Sequence, residues 1–342
     1  TWPRINYESG TNDWVIIDPS GKQQILDFYR QNPEEARKQL GDDPFEISNI
    51  FKYWLHNENP DMRVIPTDTL HLKVDKEAVR RSGMFMPSDT IPDIMEISLA
   101  GRRGLSKSDI MLLEMLVQCN WTRPMYVATT VGSENFMSLG ENFVCEGLTN
   151  RITPFKTNVE GVRNFDTERV YKNLMTRFKF GGLNKKGLYL DWTIMRMCYT
   201  HRRLFAQLAK QLIMEHKDKQ ALAVLNKCVA EIPSYNVPNN YVSGSLDLAE
   251  CYAILGQKAK AKELFNDVWK NSTQYMNWYL SLDGNNFAQS MSDCLREMSI
   301  MQECNKVAVL IDAKLAQRTG QQFQSLFNMY RGKGGILPSH NN

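Results

Sequence analysis

Paired cysteines are the first thing this sequence lacks. Its seven cysteines (119, 145, 198, 228, 251, 294 and 304) are an odd, dispersed set with no Cys-x-x-Cys. That excludes a disulfide framework and leaves the redox compartment open. Most of them sit on apolar helical positions, where cysteine behaves as a small hydrophobe. Long apolar runs are missing too: the longest candidate, Ile110–Cys119, is short and broken by Glu114, so no membrane span is predicted in this chain. No secretory leader is seen, and the opening Thr1-Trp-Pro-Arg reads as an internal cut in a longer protein. Charge of one sign is scarce: a net +3 over 342 residues argues against nucleic acid as a partner. The basic doublets Arg80-Arg81, Arg102-Arg103, Lys185-Lys186 and Arg202-Arg203 are scattered and read as solvated surface.

Catalytic signatures are equally scarce. Gly332-Lys-Gly-Gly335 follows a helical stretch rather than a strand, the wrong setting for a phosphate loop. There is no Gly-x-Ser-x-Gly elbow and no His-Glu-x-x-His. The five histidines (56, 71, 201, 216 and 340) never fall at metal-ligand spacing with one another or with cysteine. Asp42-Asp43 is an adjacent carboxylate pair, read as the cap of the helix that follows Asp43. No catalytic residue, metal or cofactor is assigned.

What the chain does have is 42% hydrophobic and 23% charged residues, a balance that excludes wholesale disorder and supports two domains with real cores. The organising stretch is Asn120-Trp-Thr-Arg-Pro-Met-Tyr-Val-Ala-Thr-Thr-Val131. Before it, Ser106–Cys119 reads as a mostly buried helix, with Ser106 and Asp109 spaced as a capping box. Asn120 ends that helix, Pro124 prevents its resumption, and Met125–Val131 is rich in strand-forming residues. Around this seam the pattern predicts a strand at 14–17 and a helix over 22–40, broken at Asn32-Pro33 and ended by Gly41. A helix over 44–57 and strands at 62–65 and 70–74 follow. Then come a loop or lid over 82–93, a strand at 94–99, a short helix over 141–150 and an edge strand at 152–155. The fold class is α+β or α/β: a mixed-sheet domain over residues 1–165, in two or three layers, with strand order left open.

From 166 to 335 the pattern is all helical, with a frayed tail at 336–342. Thr167–Phe178 reads as helix, Gly181-Gly182 breaks it, and Asp191–Met214 is a long helix. Two helix pairs then share one spacing, with Ala221 and Ala261 standing 40 positions apart. This resembles the tetratricopeptide repeat, a helix–turn–helix unit of about 34 residues; the surplus fits the loop Val237-Pro-Asn-Asn240. His216 replaces the usual turn glycine in the first pair, and Gly256 is in place in the second. Helices at 191–202 and 287–330 are expected to cap the stack.

Two candidate sites emerge. In open α/β sheets ligands gather at the carboxyl ends of strands, which nominates Thr129 and Thr130, with Asn135 and Glu141 on the following loop. Asn120 and Arg123 join them as a candidate polar pocket, against the alternative of a buried Trp121 beside a salt-bridged Arg123. In tetratricopeptide geometry the first helix of each pair lines a concave face. That nominates Arg203, Lys210 and Ile213 from one pair and Leu246, Glu250 and Ala253 from the next as an exposed surface for an extended peptide. The alternative is that the chain's own C-terminal helices fill this groove.

The run Cys119-Asn-Trp-Thr-Arg-Pro-Met-Tyr-Val-Ala128 also resembles the Asn-Trp-x-Arg-Pro-(Ile/Met)-Tyr-(Phe/Val)-Ala segment of bacterial multi-spanning membrane proteins grouped as glycosyltransferase family 117. Supporting landmarks are Ile65-Pro-Thr-Asp68, Val74-Asp-Lys76, Glu146-Gly-Leu148 with Arg151, Tyr171-Lys-Asn-Leu-Met175, Phe178-Lys-Phe-Gly-Gly182, and Tyr189-Leu-Asp191 with Arg196. The resemblance implies lipid-phosphate-sugar-dependent enzymes similar to protein O-mannosyltransferases. Their membrane-embedded N-terminal part carries catalysis, and an extracytoplasmic (periplasmic) C-terminal part carries helical repeats. This chain is similar to that C-terminal part alone, so the implied role is accessory and non-catalytic. The implied partners are a protein or peptide acceptor and the chain's own membrane-embedded N-terminal region. A stand-alone tetratricopeptide scaffold and a soluble enzyme using the pocket near Thr129 and Thr130 are the alternative readings.

Overall fold

A computed structural model describes residues 14–59, 63–156 and 164–337. Residues 1–13, Met62 of the expected strand at 62–65, and 338–342 of the expected tail lie outside the described residues. The chain divides into two compact units, Thr1–Asp166 and Thr167–Asn342.

The first unit opens with β1 (Trp14–Ile16), then α1 (Lys22–Gln31) and α2 (Pro33–Leu40). The break falls at Asn32-Pro33 because Pro33 has no N–H to give α1 and suits the first position of α2. Gly41, at φ +83°, ends α2 in a conformation that suits glycine. Next comes α3 (Ile47–Ile50), whose last turn widens, His56 N–H reaching Phe51 O at 3.1 Å. Then follow β2 (Thr69–Lys73), α4 (Lys76–Arg81), β3 (Ile94–Ser98), β4 (Gly104–Ser106), α5 (Lys107–Cys119), β5 (Tyr126–Ala128), β6 (Phe143–Cys145), β7 (Thr149–Ile152) and β8 (Asn164–Phe165). β1 pairs with β4 and β2 with β3, both antiparallel. The four-stranded sheet runs β5-β7-β6-β8, antiparallel except for the parallel pair β6–β8. Leu70, Leu72, Met95 and Ile97 turn one face of the β2–β3 pair into a core shared with α3 and α5, through Ile47, Ile50, Ile110 and Leu113. The Ser106–Asp109 capping box forms, and Asn120 closes α5 in the left-handed region at φ +39°.

Several expected elements are corrected. The strand at 62–65 reduces to one parallel bridge between Ile65 and Ile17, and Pro66 removes the donor that would extend it; β2 pairs with β3 instead. The helix over 44–57 begins at Ile47, not at Pro44. Its cap is Glu46, whose carboxylate accepts from Asn49 N–H, so Asp42-Asp43 is not the cap. Residues 141–150 form no α-helix: after a single 3-10 turn over Leu139–Asn142, Phe143–Cys145 and Thr149–Ile152 are adjacent antiparallel strands turning at Gly147, φ +137°. Consecutive buried residues from Asn142 to Gly147 leave no polar helical face, and aromatic and β-branched residues favour the strand. The strand at 125–131 shortens to Tyr126–Ala128, and Ile152 ends β7 rather than starting an edge strand.

Asp43 takes a different role. It accepts from Phe45 N–H at 2.9 Å, and His71 Nδ1 lies 2.7 Å from its other oxygen. That bond to Asp43 raises the pKa of His71 against the opposing effect of burial. Burial alone pushes Asp43 up, but the His71 and Phe45 bonds outweigh it and leave its pKa lowered. The pair therefore stabilises fully above Asp43's ordinary 3.8 and below His71's ordinary 6.5. It fades as pH rises through the raised His71 value or falls through the lowered Asp43 value. Urea midpoints measured on either side of 6.5 should fall toward alkaline pH, and His71→Gln should flatten that limb. An alkaline limb equally steep in the variant would contradict this account.

Every regular element among the described residues of the second unit is helical. α6 (Thr167–Lys172) widens into a turn ending at Arg177. Then come α7 (Trp192–Met214), α8 (Asp218–Glu231), α9 (Ser245–Ile254), α10 (Lys258–Ser281), α11 (Gly284–Gln289), α12 (Met291–Ile311) and α13 (Ala313–Gly332). The α7–α8 and α9–α10 hairpins repeat at 40 positions in detail. Ala209, Ala221, Leu225 and Cys228 are buried, as are Ala249, Ala261, Phe265 and Val268. Lys217 N–H bonds Leu212 O and Gln257 N–H bonds Tyr252 O, both at 2.8 Å. The turn residues are both left-handed, His216 at φ +58° and Gly256 at +73°. α12 and α13 make a third hairpin joined at Asp312, and residues 192–202 belong to α7 itself. The first helices pack side by side, α7 on α9 and α9 on α12. A mixed-sheet unit followed by an all-helical one is the order of classes expected from sequence.

Candidate functional site

In the four-stranded sheet, Phe143 and Ile152 face the core, so the register places Val144, Arg151 and Tyr126 on the other side. Val144 and Arg151 are buried there, and Tyr126 is exposed at its edge. Arg151 lies 3.7 Å from Glu146, Tyr126 OH donates to Glu146 at 2.9 Å, and Arg151 Nη2 donates to Ser82 O at 3.3 Å. Beside it lies a cavity of about 390 Å³, lined by Pro87, Ser88 and Pro92 of the 82–93 loop, Glu96 of β3, Asn142, Phe155, Lys156 and Asn164. The side-chain amide nitrogens of Asn142 and Asn164 are buried and find no hydrogen-bond acceptor among the described residues. Lys156 Nζ sits 3.7 Å from Glu96 and 4.0 Å from Glu141. Unanswered buried donors of this kind demand an explanation, and a ligand rich in acceptors would satisfy them. Among the described residues no cluster suited to a metal is present.

The structure does not gather the sequence-nominated pocket residues around one cavity. Asn120 is the C-cap of α5. Trp121 is buried, and its indole N–H donates to Lys73 O at 2.9 Å. Arg123 is exposed and makes no ion pair among the described residues, so the salt-bridged arginine is not seen. Arg123 lines a cleft of only about 10 Å³ with Leu116, Cys119 and Met125. Thr129 gives its N–H to Leu148 O at 3.0 Å, and Thr130 is an exposed turn residue. Glu141 is exposed near Lys156. Asn142 and Asn164, the orphaned donors, carry no sequence signal: the pairing of Val144 with Asn164 brings them together across a long stretch of chain.

On the helical unit, Lys210 of α7 bonds both Asp247 and Glu250 of α9 at 2.8 Å. Burial pulls the Lys210 pKa down, but the two carboxylates outweigh it and hold it above the ordinary value. Arg203 is exposed and Ile213 half-buried. Leu246 and Ala253 are buried, correcting their expected exposure, because α9 is flanked by α7 and α12. Exposed apolar side chains appear instead at the last turn of each first helix: Met214 (73%), Ile254 (52%) and Val309 (68%). Met214 and Ile254 are themselves 40 positions apart.

Arg202 is buried at 2% exposure. Its guanidinium donates to Pro238 O, Ile232 O, Val237 O and Ser245 Oγ at 2.8–3.2 Å. It therefore pins the α8–α9 connection to α7. It also forms part of the wall of a cavity of about 290 Å³, with Asn226, Tyr252 and Lys260.

These features define a two-part chain: a mixed α+β unit with a polar pocket, and a unit of helical hairpins with a charged and partly apolar face. The family model described as TMEM260-associated domain 2 matches residues 1–173. That is just over half of the chain, which belongs to this family, a domain associated with a membrane protein. No curated protein and no solved structure matches the chain. Among the described residues no helix is long and apolar enough to cross a membrane.

Proposed function

We propose that this chain is the extracytoplasmic accessory region of a membrane-bound, lipid-phosphate-sugar-dependent protein glycosyltransferase. In this reading its helical unit docks a polypeptide acceptor and the chain itself performs no catalysis. The observation that carries the docking role is the row Met214, Ile254 and Val309, exposed across three adjacent first helices beside the Lys210–Asp247–Glu250 cluster. Apolar anchors next to fixed charges suit an extended or helical polypeptide segment. The 40-position recurrence supports a tetratricopeptide-like unit, and the family match supports attachment to a membrane protein. A second reading, a small acceptor-rich ligand under the 82–93 loop, is favoured by the Asn142 and Asn164 amide nitrogens, which have no acceptor among the described residues.

The test is anisotropy of fluorescein-labelled random-sequence peptides titrated with the full chain. Saturable binding is expected, unaffected by free monosaccharides and weakened about tenfold or more by Met214→Glu with Ile254→Glu. Binding that the double variant leaves intact would contradict the docking face. Competition by monosaccharide that disappears in Asn142→Leu would favour the pocket instead.

A further inference from the structure

We propose that the junction entering α7, residues 185–197, is an interfacial anchor that sets the helical unit on an anionic lipid surface. The inference is independent of the docking role. Tyr189 is 90% and Trp192 68% exposed, and Leu188, Ile194 and Met197 are exposed with them. Single exposed apolar residues are ordinary; five within ten positions, Leu188 to Met197, mark an interaction site. No side chain from Trp192 to Met197 is buried, and the first buried one in α7 is Cys198. The helix therefore begins as a projecting tip.

That tip is held in place. Asp191 caps α7, accepting from Ile194 N–H at 2.9 Å. The preceding loop is tied down by Tyr235 OH donating to Asn184 O at 2.5 Å. Asn236 Nδ2 adds bonds to Leu183 O at 2.7 Å and Lys185 O at 2.5 Å. The aromatics are thus presented from a fixed scaffold on both sides.

Charge decides the partner. Lys179, Lys185, Lys186 and Arg196 are exposed around the tip, and Asp191 is the sole carboxylate between Arg177 and Arg203. Trp and Tyr ringed by Lys and Arg is the chemistry of a headgroup interface, where the rings sit at the apolar boundary and the cations meet anionic lipid. Geometry agrees: Trp192 and Ile194, two positions apart, point to opposite sides of the helix. A flat protein partner would cover one of them; a lipid surface surrounds a tip and covers both.

The experiment is vesicle flotation of the full chain with phosphatidylcholine alone and with an equimolar phosphatidylcholine–phosphatidylserine mixture. Binding to the mixed vesicles only, reduced by salt, is expected. Tyr189→Glu with Trp192→Glu should lower partitioning about tenfold or more, and Lys185→Gln with Lys186→Gln about as much. All four positions are exposed, so the urea midpoint should not move. Three outcomes would overturn the proposal: no binding to either vesicle, undiminished binding by the aromatic double variant, or a concentration-dependent dimer lost in that variant without vesicle binding. The last would assign the tip to a second copy of the chain.

Discussion

Replacing Arg202 with alanine should destabilise the helical unit by about 3–5 kcal/mol. The guanidinium is almost fully buried, yet its partners are three main-chain carbonyls and one hydroxyl rather than a carboxylate. Alanine takes this donor from three main-chain carbonyls, two of them buried, and opens a void where the side chain was, and the two costs add. The connection from Ile232 to Ser245 loses its attachment to α7 in the same step. Lysine should rescue little, because its ammonium is a point charge that cannot span four acceptors as a planar fork does. Urea unfolding at neutral pH reads this as a lower midpoint at unchanged slope. A loss below about 1 kcal/mol would mean that water from the adjoining cavity replaces the guanidinium.

Phe143→Ala should cost the first unit a similar amount, about 3–5 kcal/mol. Phe143 is wholly buried in β6, opposite Ile152, with its ring 4.8 Å from that of Phe136 between centroids. Its removal empties the joint between the four-stranded sheet and the core. Leucine at this position should recover most of the loss, since it refills much of the volume. If residues 141–150 were instead the short helix that their sequence first indicates, with Phe143 on its solvent side, alanine would be nearly neutral.

The contrast shows what the sequence makes legible. Ser106 with Asp109, Asn32-Pro33 and Gly41 mark boundaries through local backbone chemistry, and the helical unit announces itself by spacing alone. The β6–β7 hairpin does not. Its strands are short and β6 is buried on both faces, so the alternation that identifies a half-buried strand is missing. The polar cavity is hidden for a related reason: Asn142 and Asn164 meet only through the parallel pairing of β6 and β8, a long-range event that no local pattern encodes. On the helical unit the 40-position recurrence correctly aligns Lys210 with Glu250, but it does not say which flank is covered. Leu246 turns inward like its equivalent Ala206, also buried.

The most direct test of the account is hydrogen–deuterium exchange on the full chain with and without a saturating random-sequence peptide. The docking role predicts added protection over the ends of the three first helices, residues 207–214, 247–254 and 303–310, with little change in the 82–93 loop. Protection confined to that loop and to residues 142–156, or none on the helical unit, would contradict it.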